Sequence, residues 1–322
     1  LYLCNVETLD TTYREDLKET FIRLEEKVQY LKKLRPFPNT ALLGIREALL
    51  IEWTYNSNSI EGNTLNLRET KMILQEGVTI KGKSLREHFE AKNHEHAINY
   101  LYTLVKPDYV LSSKDIMSLH ALVLRTIEDD FAGRLRNAGV RISGANFVPP
   151  NARKVHQLLN ELVDFVNENP LQLNSIELAT VFHHRFVHIH PFFDGNGRTV
   201  RLVMNLLLMR EGFPPAIILK NDRNKYYAAL NQANKGNYAK LMLLMAQALE
   251  RTTNIYLTAL PEHDKDYQII SDIVKEPDVA YSQEYVSLLA RQGKIDAHKE
   301  GRNWYTTKEA INNYIANRER KR

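Results

Sequence analysis

At 322 residues, with 43% hydrophobic and 25% charged side chains, the chain is long enough for a sizeable core and more than one domain, and has the balance of an ordinary globular protein. A net charge of +4 is too slight to announce a nucleic-acid partner by itself, and no run of about 18 apolar residues exists to span a membrane. The single Cys4 excludes an intrachain disulfide, and Leu1–Val6 lacks the basic flank and apolar stretch of a secretory leader, so the cytoplasm is the expected compartment.

Asp16 to Leu34 carries Leu17, Phe21, Leu24, Val28 and Leu31 on one face and reads as a helix. Pro36-Phe37-Pro38 ends it, because proline withholds the donor that continuation needs. A second helix runs from Ala41 to about Ile60 and enters Ser57-Asn58-Ser59-Ile60-Glu61-Gly62-Asn63. Ser57 and Glu61 lie four apart and so share a face, with Gly62 near the helix end. Helical patterning continues from Arg68 to Tyr109, with a break at Gly77–Gly82. His94-Glu95-His96 invites a metal reading, but helical neighbours two apart do not share a face, and a surface helix is the expectation. Ser113 to Ile127 reads as a further helix. Val140-Arg141-Ile142, Ser143-Gly144 and the residues to Phe147 alternate around a glycine, a β-hairpin pattern. Helices follow over Val155–Asn167 and Ile176–Ile189, the second opened by an Asn174…Glu177 capping pair.

The densest chemistry comes next, in His190-Pro191-Phe192-Phe193-Asp194-Gly195-Asn196-Gly197-Arg198-Thr199-Val200-Arg201. The apolar stripes on either side make it a helix, a glycine turn and the start of a second helix. The first N–H groups of a helix lack intrahelical partners, its dipole favours an anion there, and Gly195 and Gly197 let the backbone approach closely. Arg198 and Arg201 can clamp phosphate oxygens, Asp194 can hold Mg²⁺ (or Mn²⁺), and His190 has an imidazole suited to taking a proton from a hydroxyl. This set suits nucleotidyl transfer. Beyond it, Asn221 to Met245 includes Arg223, Tyr226, Tyr227 and Asn234, and Pro261–Asp266 is a proline-led polar linker. The last segment reads as a winged-helix-like or helix-turn-helix module. From Arg291 onward it holds nine Lys or Arg against four Asp or Glu, a charge of +5 that would favour DNA, although such modules also serve in dimerisation or docking.

The twelve-residue stretch resembles the signature of the Fic family of protein adenylyltransferases, His-Pro-Phe-x-Asp/Glu-Gly-Asn-Gly-Arg-x-x-Arg, at every defining position, and Ser57 to Gly62 resembles that family's inhibitory motif in its N-terminal, class II arrangement. The resemblance covers roughly Thr40 to Leu260. It implies a mainly α-helical fold with a short hairpin flap, divided as residues 1–110 (helical region with the inhibitory motif), 111–260 (catalytic core) and 261–322 (the C-terminal module). It implies transfer of AMP from ATP to a Ser, Thr or Tyr hydroxyl of a protein, this chain included, with release of pyrophosphate. His190 would be the general base and Asp194 the metal ligand. Gly195, Asn196, Gly197, Arg198 and Arg201 would cradle the phosphates, with Tyr226 packed on the base and Asn234 bonded to it. Val140, Arg141, Ile142, Ser143 and Gly144 would form the flap that pairs with the target. Glu61 would reach Arg201 and sit where the γ-phosphate belongs, so the resting state would be autoinhibited. Removal of AMP, transfer of another phosphate-containing group, a homodimer, and a DNA-binding regulator with a nucleotide-sensing core remain open at this point.

Overall fold

The computed structural model describes residues 11–320 except 36, 38, 107, 143, 145, 146 and 261–265. Leu1–Val6, with Cys4, the two prolines of the first helix stop, Ser143 of the flap and most of the linker therefore lie outside the described residues. The fold is mainly helical. In order come α1 (Tyr13–Lys33), α2 (Asn39–Ile60), α3 (Leu67–Glu76), α4 (Leu85–Leu104), α5 (Ser113–Leu124), α6 (Ala152–Glu168), α7 (Ser175–Ile189), α8 (Asn196–Arg210), α9 (Arg223–Ala233) and α10 (Ala239–Thr258). A smaller unit follows, with β1 (Gln268–Ile269), α11 (Ile270–Ile273), α12 (Gln283–Arg291), β2 (Ala297–Glu300), β3 (Asn303–Thr306) and α13 (Lys308–Arg320).

Local chemistry sets several boundaries. Asn66 with Glu69, Ser84 with Glu87, Ser112 with Asp115 and Asn174 with Glu177 each form a capping box that satisfies two orphan amides at a helix start. Helix α2 stops where Gly62 takes a φ of +105°, a conformation that costs a side-chain residue dearly. Helix α8 is buried nearly all round, with Val200, Leu202, Val203, Met204 and Leu206 fully buried. Such a helix has to be enclosed, and α7, α5, α4 and α2 surround it. One continuous core runs from Tyr13 to Leu260, and a second cluster from Ile270 to Ile311 belongs to the C-terminal unit.

In that unit β1, β3 and β2 form an antiparallel sheet in that order, with Ala297 opposite Thr306 and Glu300 opposite Asn303. It is pinned to the helical body by buried charges. Lys27 bonds Glu250 at 3.0 Å, Asn254 at 2.8 Å and Asp296 at 2.5 Å, and Arg23 grips Glu250 with two bonds of 2.6 and 3.0 Å. Each charge has several partners, which is what makes its burial tolerable.

Two expectations need correction. Among the described residues of 140–148 none joins a β ladder, so the expected hairpin pairing is not formed by them, and Gly144 has φ +78°. A lone two-stranded hairpin is marginal in water, and Pro149-Pro150 supply no donors to complete one. His94 does not lie on a surface helix. It is buried at 1% exposure, edge-on to Trp53, with Thr54 Oγ1 at 3.3 Å from its Nδ1, and burial holds its imidazole well below the usual range.

Candidate active site

The site forms where α7 ends and α8 begins. His190 closes α7 in the left-handed region, at φ 50° and ψ 63°, with its N–H donating to Phe186 O at 2.9 Å. Asn196 then fastens the loop internally: its Oδ1 accepts from Phe192 N at 3.0 Å and its Nδ2 donates to Phe192 O at 2.9 Å. His120 closes the other side. Its ring stacks on Phe192 at 3.6 Å, its Nδ1 accepts from Gly133 N, and its Nε2 donates to the Asp194 carbonyl at 2.9 Å. Gly195 has to be glycine, since φ is +74° and a Cβ would stand 3.2 Å from the His120 ring. Asn196→Ala would leave a buried N–H and carbonyl unpaired, and we expect a loss of about 2 kcal/mol in urea unfolding.

His190 is half-buried. Burial first, and then the Arg136 guanidinium, lower its imidazole to about 4, partly offset by the Val187 carbonyl, Glu61 and Asp194. The ring is therefore neutral near pH 7 and offers a lone pair, the form that accepts a proton. Its Nδ1 is buried and has no hydrogen-bond partner of normal geometry among the described residues, and that burial leaves Nε2 as the nitrogen for chemistry.

Charges gather around the first turn of α8. Arg198 and Arg201 are each buried to 2% exposure. Arg201 donates to Ser57 Oγ at 3.0 Å and Ser57 O at 2.8 Å, and its Nη2 lies 2.8 Å from Glu61 Oε1. A Cβ placed on Gly197 would meet Glu61 Oε1 at 2.1 Å. The Glu61 carboxylate thus occupies the N-terminus of α8, where a helix favours an anion. Arg198 faces Glu90 at 3.3 Å and Asp194 at 3.6 Å, while Asp194 also pairs with Arg86 at 2.8 Å. Asp194 stays partly exposed beside the loop.

The structure brings His190, Asp194, Gly195, Gly197, Arg198, Arg201, Ser57 and Glu61 together around one turn. It assigns others differently. Asn196, expected as a phosphate donor, spends its amide on Phe192. Tyr226, expected against the base, is buried at 2% exposure with its hydroxyl 3.0 Å from His183, so it packs the core. The less buried neighbour is Tyr227, with Arg223 stacked on it at 5.0 Å. Asn234 accepts at its Oδ1 from His184 Nε2 at 2.8 Å. Val140 and Ile142 are half-buried and Arg141 is exposed. Sequence reasoning passed over Arg86, His120 and Arg136, and it marked Tyr227 without giving it a role of its own.

Fold and site together define a helical protein with an anion-binding helix start facing a neutral imidazole. Residues 110–208 match the Fic/DOC family. The protein adenylyltransferase Fic of Nematostella vectensis is 40% identical over 217 residues, which cover 67% of this chain and 50% of that protein. The one from Aedes aegypti is 37% identical over 247 residues, 76% of this chain and 49% of its own. The chain therefore spans about half the length of the curated relatives it matches. The structure of Fic-1 residues 134–508 from Caenorhabditis elegans superposes with a TM-score of 0.68 at 33% identity, covering 76% of this chain and 72% of that one. The chain belongs to the Fic/DOC family.

Proposed function

We propose that this chain transfers AMP from ATP to a Ser, Thr or Tyr hydroxyl of a protein. The observation that carries the reading is the neutral His190 imidazole at the mouth of a helix N-terminus flanked by Arg198 and Arg201, with a carboxylate already in the anion's place. The ATP phosphates would take that place, held by the α8 amides and the two guanidinium groups. His190 Nε2 accepts the proton of the target hydroxyl as its oxygen bonds to the α-phosphorus, and the bond from that phosphorus to the bridging oxygen breaks to release pyrophosphate. Positioning and fixed charge supply most of the acceleration.

A divalent ion fits this donor set. Mg²⁺ takes one or two carboxylates together with substrate phosphates, and Asp194 is a partly exposed carboxylate beside the loop. When bound it would neutralise charge on the leaving group. We read the C-terminal unit as winged-helix-like from its helix, hairpin and helix order, and the lone Cys4 fits a reducing compartment. No helix among the described residues is long and apolar enough to cross a membrane. The relatives are named for AMP transfer, which favours transfer over removal.

Intact mass spectrometry of the Glu61→Gly protein after Mg·ATP tests the proposal, with lysate present as a source of targets. A gain of one AMP on a protein, lost with His190→Ala, is the expected result. No AMP adduct on any protein would sink it.

A further inference from the structure

Arg136 is buried at 2% exposure, and among the described residues it has no carboxylate partner. Its Nε donates to His190 O at 2.8 Å and its Nη2 to Ile189 O at 3.3 Å, while its backbone N–H reaches Pro191 O at 2.9 Å. The same guanidinium donates through Nη1 to Ala138 O at 3.0 Å and through Nη2 to Pro150 O at 2.5 Å. Ala138 and Pro150 are the two feet of the 139–149 flap loop. A rigid five-donor fork suits this arrangement, whereas a lysine ammonium is a flexible point charge. An unpaired buried cation is costly, and four carbonyls on two separate segments are what offsets it.

We infer that Arg136 is a positioning residue that locks both feet of the flap to the catalytic loop, so that a hydroxyl presented on the flap meets His190 in one register. The inference rests on the proposed roles of His190 and the flap. The lock is structurally independent of the nucleotide grip, which comes from α8, Arg198 and Arg201. Arg136 also acts on His190 through charge: it opposes protonation, while Glu61, Asp194 and the Val187 carbonyl favour it.

Arg136→Met and Arg136→Lys in the Glu61→Gly background separate these effects. For Arg136→Met we expect kcat for AMP transfer to fall about 100-fold, the cost of a small misplacement of reacting groups. ATP affinity by calorimetry should stay within about twofold, because its contacts lie elsewhere. Hydrogen exchange should quicken together in 139–149 and 189–192. The His190 imidazole, followed by NMR and assigned by its loss in His190→Ala, should titrate at higher pH. Arg136→Lys should keep the low titration, since the charge remains, but recover only part of kcat. The inference is overturned if kcat is unchanged in both variants. It is equally overturned if kcat, ATP affinity and melting temperature fall together while the titration stays put, the pattern of general damage. Should the parent protein transfer no AMP, the proposed activity fails, while the titration and exchange measurements still decide the role of Arg136.

Discussion

Glu61→Gly is expected to tighten ATP binding by about 10- to 100-fold and to raise AMP transfer above a low wild-type level. The argument is competition for one buried cation. Arg201 Nη2 is 2.8 Å from Glu61 Oε1, and the same carboxylate stands over Gly197, where the helix start would otherwise receive a phosphate. A charge-assisted hydrogen bond contributes about 1.5–3 kcal/mol, and each 1.4 kcal/mol is about tenfold in affinity. The Glu61 side chain is 33% exposed, so screening places the effect below the upper end of that range. Arg201 keeps its two bonds to Ser57 when Glu61 is lost, so the clamp stays aimed and stability changes little. Glu61→Gln should fall between the two proteins, since it keeps the bulk and removes the charge. Calorimetric titration with ATP at two salt concentrations measures this. Equal affinity in all three proteins would remove Glu61 from any inhibitory role.

What the sequence made legible was local. The end of α2 at Ile60, the Asn174 cap of α7 and the glycine turn before α8 each depend on residues within one turn of chain, and the structure places them as expected. The pairing of Glu61 with Arg201 spans 140 positions, and only the family resemblance pointed to it. Burial decided the remainder. Asn196 and Tyr226 are polar residues in a motif-rich stretch, which argues for contact with a ligand. Phe192 and His183 had already claimed them, and neither claim leaves a mark on spacing. His94 went the same way, turned toward Trp53 by the packing of α4 on α2. Arg136 was invisible for a different reason. A lone arginine near a loop looks solvated until the carbonyls of Ile189, His190, Ala138 and Pro150 are seen to converge on it.

His190→Ala should lower kcat by about 10²–10⁴-fold, the usual worth of a positioned general base, with ATP affinity nearly unchanged. Alanine confuses two effects, because residue 190 sits in the left-handed region that disfavours most side chains. His190→Asn resolves this, since asparagine tolerates that conformation and still lacks a basic nitrogen. If the two variants lose activity equally, the imidazole accounts for the loss rather than the backbone. The pH profile gives an independent check. With its imidazole lowered to about 4, His190 is neutral in the free enzyme from about pH 5 upward, and kcat/KM should be flat there. Activity should fall as pH drops through about 4, because protonation removes the acceptor. The Glu61 carboxylate favours the protonated ring, so Glu61→Gly should carry that acid limb to lower pH. An acid limb near the ordinary histidine value, about 6.5, would mean that the reacting group is not this buried ring. A limb that stays in place in His190→Asn would mean the same.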